Sequence, residues 1–164
     1  MPTPKKARER FDPYRDYKFR VKWDGRLVAG ITHVSGLKRV TEVVEYRDGT
    51  GGQSQKLPGR TNYEPITLER GITRERAFEA WANQVVDARG PSLRLRKEVR
   101  IEVYSDSGVL LLAYNVHRCW PSEYVALSSL ETGDQPRLIQ SLTLQNEGWE
   151  RVVAVNARSR LRRS

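Results

Sequence analysis

The residues of this chain that could do covalent chemistry are few, and the nearest pair is His117 and Cys119. A cysteine beside a histidine forms an activated nucleophile when the thiol and the imidazole lie within hydrogen-bonding reach. Two residues apart on a strand, the side chains project to the same face and lie about 6.6 Å apart, too far for a direct bond. The spacing favours a packed thiol and a structural histidine over a hydrolase centred on this pair.

The acidic residues of the middle of the chain give no acid–base or metal pattern. They stand among arginines and have no second acid or histidine at ligand spacing. Examples are Glu42, Glu45, Glu64 and Glu69. The glycines of 49–52 lack the Gly-Lys-Ser/Thr ending of a phosphate loop, and a lone cysteine excludes a cysteine-based metal cluster. The sequence therefore predicts no enzyme, no metal site and no cofactor.

The segments around these residues have the apolar patterning of β-strands. Tyr17–Trp23 alternates apolar and basic side chains, and Asp24-Gly25 then predicts a hairpin turn into a return strand over Leu27–Val34. Val109–Val116 is apolar on both faces, which is typical of a central strand covered twice. Pro121 is predicted to end its regular pairing, because proline cannot donate to the ladder.

One helix is predicted, over Arg74–Ala88 with Thr73 as its N-cap. Its apolar stripe includes Trp81, which we interpret as a packing anchor. With about six to eight strands joined by hairpin-like turns, the pattern predicts a mainly β fold. We expect two packed antiparallel sheets, in a β-sandwich or small barrel, with one flanking α-helix.

Two polar segments indicate surfaces for assembly. Arg47–Glu64 is rich in Gly, Gln, Ser and Thr, and we interpret it as a long loop that reaches a neighbour as an arm, with a mobile surface loop as the alternative. Ser141, Thr143 and Gln145 alternate with apolar residues in the last long strand. Their uncharged row suits a wetted concave surface.

The net charge of +9 is concentrated at the two ends of the chain. Residues 1–10 form a basic N-terminal tail and residues 157–164 an Arg-rich C-terminal tail, whereas the domain at 11–156 is nearly neutral. Such tails either neutralise a phosphate backbone or act as solvating or interacting ends. A nucleic-acid-binding β-domain that uses its basic tails is therefore the alternative hypothesis, which the near-neutral domain disfavours.

Several motifs together resemble the tail-tube proteins of contractile injection systems. The likeness runs in order from about Phe11 to Arg151 and includes the inner tube proteins of phage-tail-like particles and of contractile-tailed phages. The segments that carry it are Phe11–Tyr14, Lys18–Gly30, Val34–Leu37, Thr41–Gly49, Lys56–Arg60, Ile66–Gly71, Arg118–Tyr124 and Asn146–Arg151.

This resemblance implies a structural subunit that forms hexameric rings. Rings stack into a tube, a conduit for cargo that a contracting sheath drives through a target membrane. The resemblance implies self-assembly, sheath and baseplate partners and cargo in the lumen, with no small-molecule substrate and no membrane-integral part. A tube-initiating or terminal ring is the alternative. Assembly in a bacterial or archaeal cytoplasm, within a phage tail or a released particle, is expected.

The resemblance also implies roles for particular residues. The long loop reaches the adjacent ring, and the inner sheets merge around the lumen. The predicted inter-subunit loop residues are Arg47, Asp48, Gln53, Gln55, Lys56, Leu57, Pro58 and Arg60, and the predicted lumen-facing residues are Ser141, Thr143 and Gln145.

Overall fold

The computed structural model describes residues 17–88, 93–130, 133 and 138–152. Ten strands and one α-helix lie in this part of the chain, more strands than predicted, because short strands flank turns that the sequence pattern merges. The strands are β1 (Lys18–Trp23), β2 (Arg26–Val28), β3 (Ile31–Val34), β4 (Arg39–Tyr46), β5 (Gln55–Tyr63), β6 (Ile66–Gly71), β7 (Lys97–Tyr104), β8 (Leu110–Val125), β9 (Ile139–Gln145) and β10 (Trp149–Val152). Both predicted tails lie outside the described residues.

The strands form two antiparallel sheets that share β8, and a separate two-stranded arm. Sheet 1 has the order β2-β1-β7-β8-β10, and sheet 2 has the order β8-β9-β6-β3. We call residues 39–63, which contain β4 and β5, the arm. The predicted sandwich is confirmed, and the sheets are not closed into a barrel.

The first hairpin forms as its sequence dictates. Asp24 and Gly25 have φ values of 54° and 69°, the left-handed pair that a two-residue hairpin turn needs. The predicted single return strand over Leu27–Val34 is wrong, because the chain turns again at Ala29 and Gly30. Its first part pairs with β1 in sheet 1 and its second part with β6 in sheet 2.

The helix α1 (Ala77–Asp87) is shorter than the predicted span and covers the core between the sheets. Thr73 is not its N-cap: Arg76 holds that position without a side-chain bond, and Thr73 accepts from the backbone N–H of Glu75 instead. Trp81 is buried, its ring lies 4.9 Å from that of Trp23, and its indole N–H donates to the carbonyl of Leu95 at 2.8 Å. It is a packing anchor, as predicted.

A buried arginine joins the helix entrance to sheet 2. Arg70 ion-pairs with Glu75, donates to the Glu75 carbonyl at 2.9 Å, and stacks on Phe78 with 4.0 Å from its guanidinium carbon to the ring centre. Gln140 Oε1 accepts a further bond at 3.3 Å. The cost of burying the charge is therefore offset by several polar partners.

No helix among the described residues is long and apolar enough to cross a bilayer.

Candidate assembly interface

His117 and Cys119 both lie on β8, the strand that the two sheets share. It does not end at Pro121, since pairing with β9 continues to Val125 after a register shift beyond the proline. At Arg118 the φ value is 52°, which breaks the alternation of the strand. His117 and Cys119 therefore do not share a face, contrary to the prediction from their spacing.

Cys119 is fully buried and chemically quiet. Its thiol donates to the carbonyl of Val116 at 3.5 Å. Burial raises the pKa of Cys119 to about 12, and the negative charge of Glu98 adds to the effect. The thiolate that a nucleophile requires is thus disfavoured.

His117 points to the surface, where its Nδ1 lies 2.6 Å from Glu98 and its Nε2 lies 3.5 Å from Glu150. Its imidazole is therefore engaged by carboxylates and not by the thiol. Among the described residues no cluster of three or more His, Cys, Asp or Glu is placed to hold a metal ion.

The arm is the most exposed part of the described chain. All residues from 39 to 62 are exposed, and only Tyr63 is half-buried. The arm predicted over Arg47–Glu64 is not a loop in its second half, because Gln55–Tyr63 forms β5 and pairs with β4. Valine and tyrosine favour strands, and the polar partner segment pairs along them.

The predicted inter-subunit residues divide between the two parts of the arm. The tip, which connects β4 to β5, carries Arg47, Asp48 and Gln53, and Gly51 adopts the left-handed φ of 79° that its turn requires. Strand β5 itself carries Gln55, Lys56, Leu57, Pro58 and Arg60. Every one of these residues is exposed.

One face of the arm carries four large apolar side chains beside Glu42, and the predicted site residues include none from β4. Val44 is paired with Leu57. Val40 lies four positions before Val44 and Tyr46 two positions after it, so all four side chains share this face. We call these four residues the apolar stripe. They are 42–55% exposed. The signal was present in the run Val40–Tyr46, whose branched apolar residues exceed what a self-contained hairpin can bury.

The base of the arm is fixed to the sandwich by aromatic contacts. The ring of Trp149 meets Tyr63 and Tyr114 edge to face, with ring centres 6.0 Å and 5.9 Å away. Arg39 lies over the same indole at 5.5 Å. Gly148 has a φ of 136° and passes so close to Tyr63 that an added Cβ would lie 3.3 Å from its ring. These contacts set the direction in which the arm leaves the body, and they were missed from the sequence.

The outer face of sheet 2 is polar. The predicted lumen residues Ser141, Thr143 and Gln145 lie on it, half-buried, while Leu142 and Leu144 between them are in the core. Thr143 is hydrogen-bonded to Thr67 at 3.3 Å across the strands. Gln145 donates to Ser122 at 3.0 Å, and Ser122 donates to the carbonyl of Thr143 at 3.4 Å. The structure thus brings the three residues together on one polar surface, on which Glu69 lies opposite Ser141.

Sheet 2 also has two edges without a partner strand in the described chain. Strand β3 pairs only with β6, and the second half of β8, residues 120–125, pairs only with β9. Exposed edges of this kind recruit strands from other chains. With four antiparallel strands, the two edges run in opposite directions, so copies of this sheet join edge to edge without breaking the antiparallel order.

On sheet 1 a buried carboxylate is held within a basic surround. Glu102 accepts a bond from the hydroxyl of Tyr104 at 2.8 Å, is paired with Lys22 at 2.6 Å, and lies 3.8 Å from Arg100. Burial acts to raise the pKa of Glu102, but the hydrogen bonds from Lys22 and Tyr104 and the two positive charges outweigh it. The pKa therefore lies below its ordinary value.

The chain is similar to known proteins. The profile of the family described as T4-like virus tail tube protein gp19 matches residues 15–150. A search of curated proteins gives no significant match.

Several solved structures also contain similar chains. One, of the anti-feeding prophage tube terminating cap, has 26% identity and a TM-score of 0.72 over 87% of this chain and 91% of that one. Another, of the PVC sheath/tube terminator in the extended state, has 25% identity and a TM-score of 0.71 over 87% and 96%. A third, of the PVC sheath-tube complex, has 24% identity and a TM-score of 0.72 over 89% and 93%.

Proposed function

This chain belongs to the family of T4-like virus tail tube proteins, and we propose that it is a structural subunit of the inner tube of a contractile injection particle or phage tail. Its copies form hexameric rings, and the rings stack into a tube. The role is mechanical and not catalytic, which agrees with the buried thiol of Cys119 and the surface position of His117.

The projecting arm is the observation that carries this proposal. A two-stranded hairpin is at best marginally stable in water by itself. This one has every residue from 39 to 62 exposed and carries an apolar stripe that is 42–55% exposed and that no other described part of the chain covers. A partner must supply that cover, and in a polymer of identical subunits the partner is another copy.

The two open edges of sheet 2 support closure into a ring. The β3 edge of one copy pairs with residues 120–125 of the next, and six copies make a continuous antiparallel barrel. Its inner surface is then the polar face with Ser141, Thr143 and Gln145. The hydroxyl and amide groups of these residues bind water, so the inner surface is hydrated. A hydrated surface suits a conduit through which cargo passes.

Sheath and baseplate proteins are the partners that this role requires. The similarity to a chain in a sheath/tube terminator structure supports such surroundings. The subunit is assembled in a bacterial or archaeal cytoplasm, and contraction of the sheath drives the tube through a target membrane.

Negative-stain electron microscopy of the purified chain tests the proposal. We expect rings with six-fold symmetry, and light scattering should give a mass six times the 18.9 kDa of the monomer. A chain that stays monomeric at high concentration would contradict the proposal.

A terminal ring is the second candidate, because two of the similar chains belong to structures of a tube cap and a sheath/tube terminator. A terminal subunit should form rings that bind the end of a preformed tube and stop its growth. A main tube subunit should extend it. Tube lengths measured with and without added subunits separate the two roles.

A further inference from the structure

The core between the two sheets is covered at one end and open at the other. At the covered end, Phe78 and Trp81 of α1 are buried against Trp23. Phe19 lies four residues before Trp23 on β1, about 13 Å away at the usual strand rise. There a groove of about 390 Å³ opens between sheet 1 and the segment that leads from β3 to the arm.

The walls of this groove are mainly apolar. Its large lining side chains, which we call the open groove, are Phe19, Val34, Leu37, Val103, Tyr114 and Trp149. All six are half-buried, and Phe19, Leu37 and Trp149 also pack against the buried core. The open groove therefore extends the core to the surface, where further cover of its apolar side chains is favourable.

One polar group of the open groove is unsatisfied. The indole N–H of Trp149 is buried and has no acceptor in the described chain. A buried donor without an acceptor costs free energy that a hydrogen bond recovers. An occupant that carries an oxygen beside apolar groups would thus satisfy both the walls and this donor.

The chain carries such a segment immediately before β1. Tyr17, at which the described chain begins, also lines the groove, so the preceding residues start from its mouth. Residues 11–16 lie outside the described residues, and in their sequence Phe11 and Tyr14 flank Asp12-Pro13. This pair favours a tight turn, because proline presets the backbone angle that the second turn position needs. At the full extension of the chain, Phe11 is at most about 21 Å from Tyr17.

Size and tethering favour this segment over a separate partner. A cavity of about 150 Å³ holds one benzene ring, so the groove has room for the rings of both Phe11 and Tyr14. A segment joined to its site by a few residues is present there at an effective concentration in the millimolar range. A second chain must reach the same groove from dilute solution.

We propose that residues 11–14 fold back over the open groove, with the rings of Phe11 and Tyr14 inside it and an oxygen of Asp12 accepting from the indole N–H of Trp149. The segment closes the end of the core that α1 leaves open. Because Trp149 also contacts Tyr63 at the base of the arm, the docked segment fixes the place from which the arm leaves the body. The inference concerns the folded subunit and does not depend on ring formation.

Disulfide trapping tests the position of the segment. In a Cys119→Ser background, Phe11→Cys is combined either with Leu37→Cys in the groove or with Val109→Cys as the matched control. Val109 is exposed in the turn between β7 and β8, at the same end of β1 as Tyr17, and does not line the groove. We expect a bond within one chain to form at least several-fold faster with Leu37→Cys. Equal rates for the two pairs would overturn the proposal. A disulfide-linked dimer as the main product with Leu37→Cys would also overturn it, since a second copy would then occupy the groove.

Hydrogen exchange of the Trp149 indole N–H, followed by NMR, tests the bond without a cross-link. Phe11→Ser with Tyr14→Ser should raise its exchange rate about tenfold or more, because release of the segment exposes the donor to water. Arg8→Ala with Arg10→Ala, in the basic N-terminal tail, is the control and should leave the rate unchanged. An unchanged rate in the serine variant would contradict the docking. Failure of the parent chain to form rings would contradict only the tube role.

Discussion

The sandwich and the arm both carry large apolar side chains, but the sandwich buries them and the arm exposes them. In the sandwich, Trp81, Arg70 and Cys119 are buried and find their partners within the chain. In the arm, valines and a tyrosine are exposed on two strands that, within the described residues, pair only with each other. The sandwich buries its large side chains, whereas the arm leaves apolar side chains that the described chain does not cover and that we propose another copy covers. Substitutions in the two regions should therefore change different measurements.

Thiol accessibility should differ most between the two regions. Cys119 is buried and its pKa is raised to about 12, so it should react with a thiol reagent only through opening of the sandwich. We expect labelling to be slower than for a free thiol by about a thousandfold or more, since core opening approaches the global free energy of unfolding. Val43→Cys in a Cys119→Ser background should react at the rate of a free thiol in the ring or monomer. Equal rates at the two sites would contradict the distinction.

Removal of the helix anchor should have the next largest effect. Trp81→Ala removes a buried ring from Trp23 and leaves the Leu95 carbonyl without its donor. We expect the free energy of unfolding to fall by about 3–5 kcal/mol, measured by urea denaturation. A loss below 1 kcal/mol would show that the helix contributes little to the core.

Acid should act on sheet 1 through Glu102. Its lowered pKa means that the folded state favours the carboxylate, so this contribution is present at neutral pH and is lost as the pH falls through that pKa. We expect Glu102→Gln to flatten the decline of unfolding free energy with acid. Tyr104→Phe, which removes one of its hydrogen bonds, should give an intermediate slope. Unchanged slopes in both variants would refute the assignment.

The smallest effect on folding should come from the arm. Val43 is 66% exposed, and Val43→Ala should change the free energy of unfolding of unassembled subunits by no more than about 0.5 kcal/mol. A loss as large as that of Trp81→Ala would mean that the arm belongs to the cooperative core.

The sequence predicted the strands and the helix whose side chains show clear alternation or helical periodicity. The strand at Tyr17–Trp23, the turn at Asp24-Gly25 and the packing role of Trp81 follow from local patterns, and the structure confirms them. The strand character of β5 was hidden, because its residues are polar and glycine-containing and pair only in the presence of β4. Local propensity does not report such pairing.

The candidate interface was predictable in part. Polar alternation indicated the row at Ser141, Thr143 and Gln145, and the structure places these residues on one face. Its role as a lumen wall stays a prediction. The aromatic contacts at the base of the arm could not be predicted from the sequence, because Tyr63 and Trp149 are far apart in the chain and meet only through the tertiary fold. The opposite placement of His117 and Cys119 depends on one backbone angle at Arg118, which no side-chain pattern encodes.

That angle at Arg118 has a mechanical consequence. Because β8 continues through it, one unbroken backbone belongs to both sheets. A load applied along the strands of sheet 2 passes into sheet 1 through covalent bonds, and not only through the shear of side chains against each other. A subunit pushed lengthwise is thereby braced against sliding of its two layers, at the place where a loosely packed sandwich would yield first.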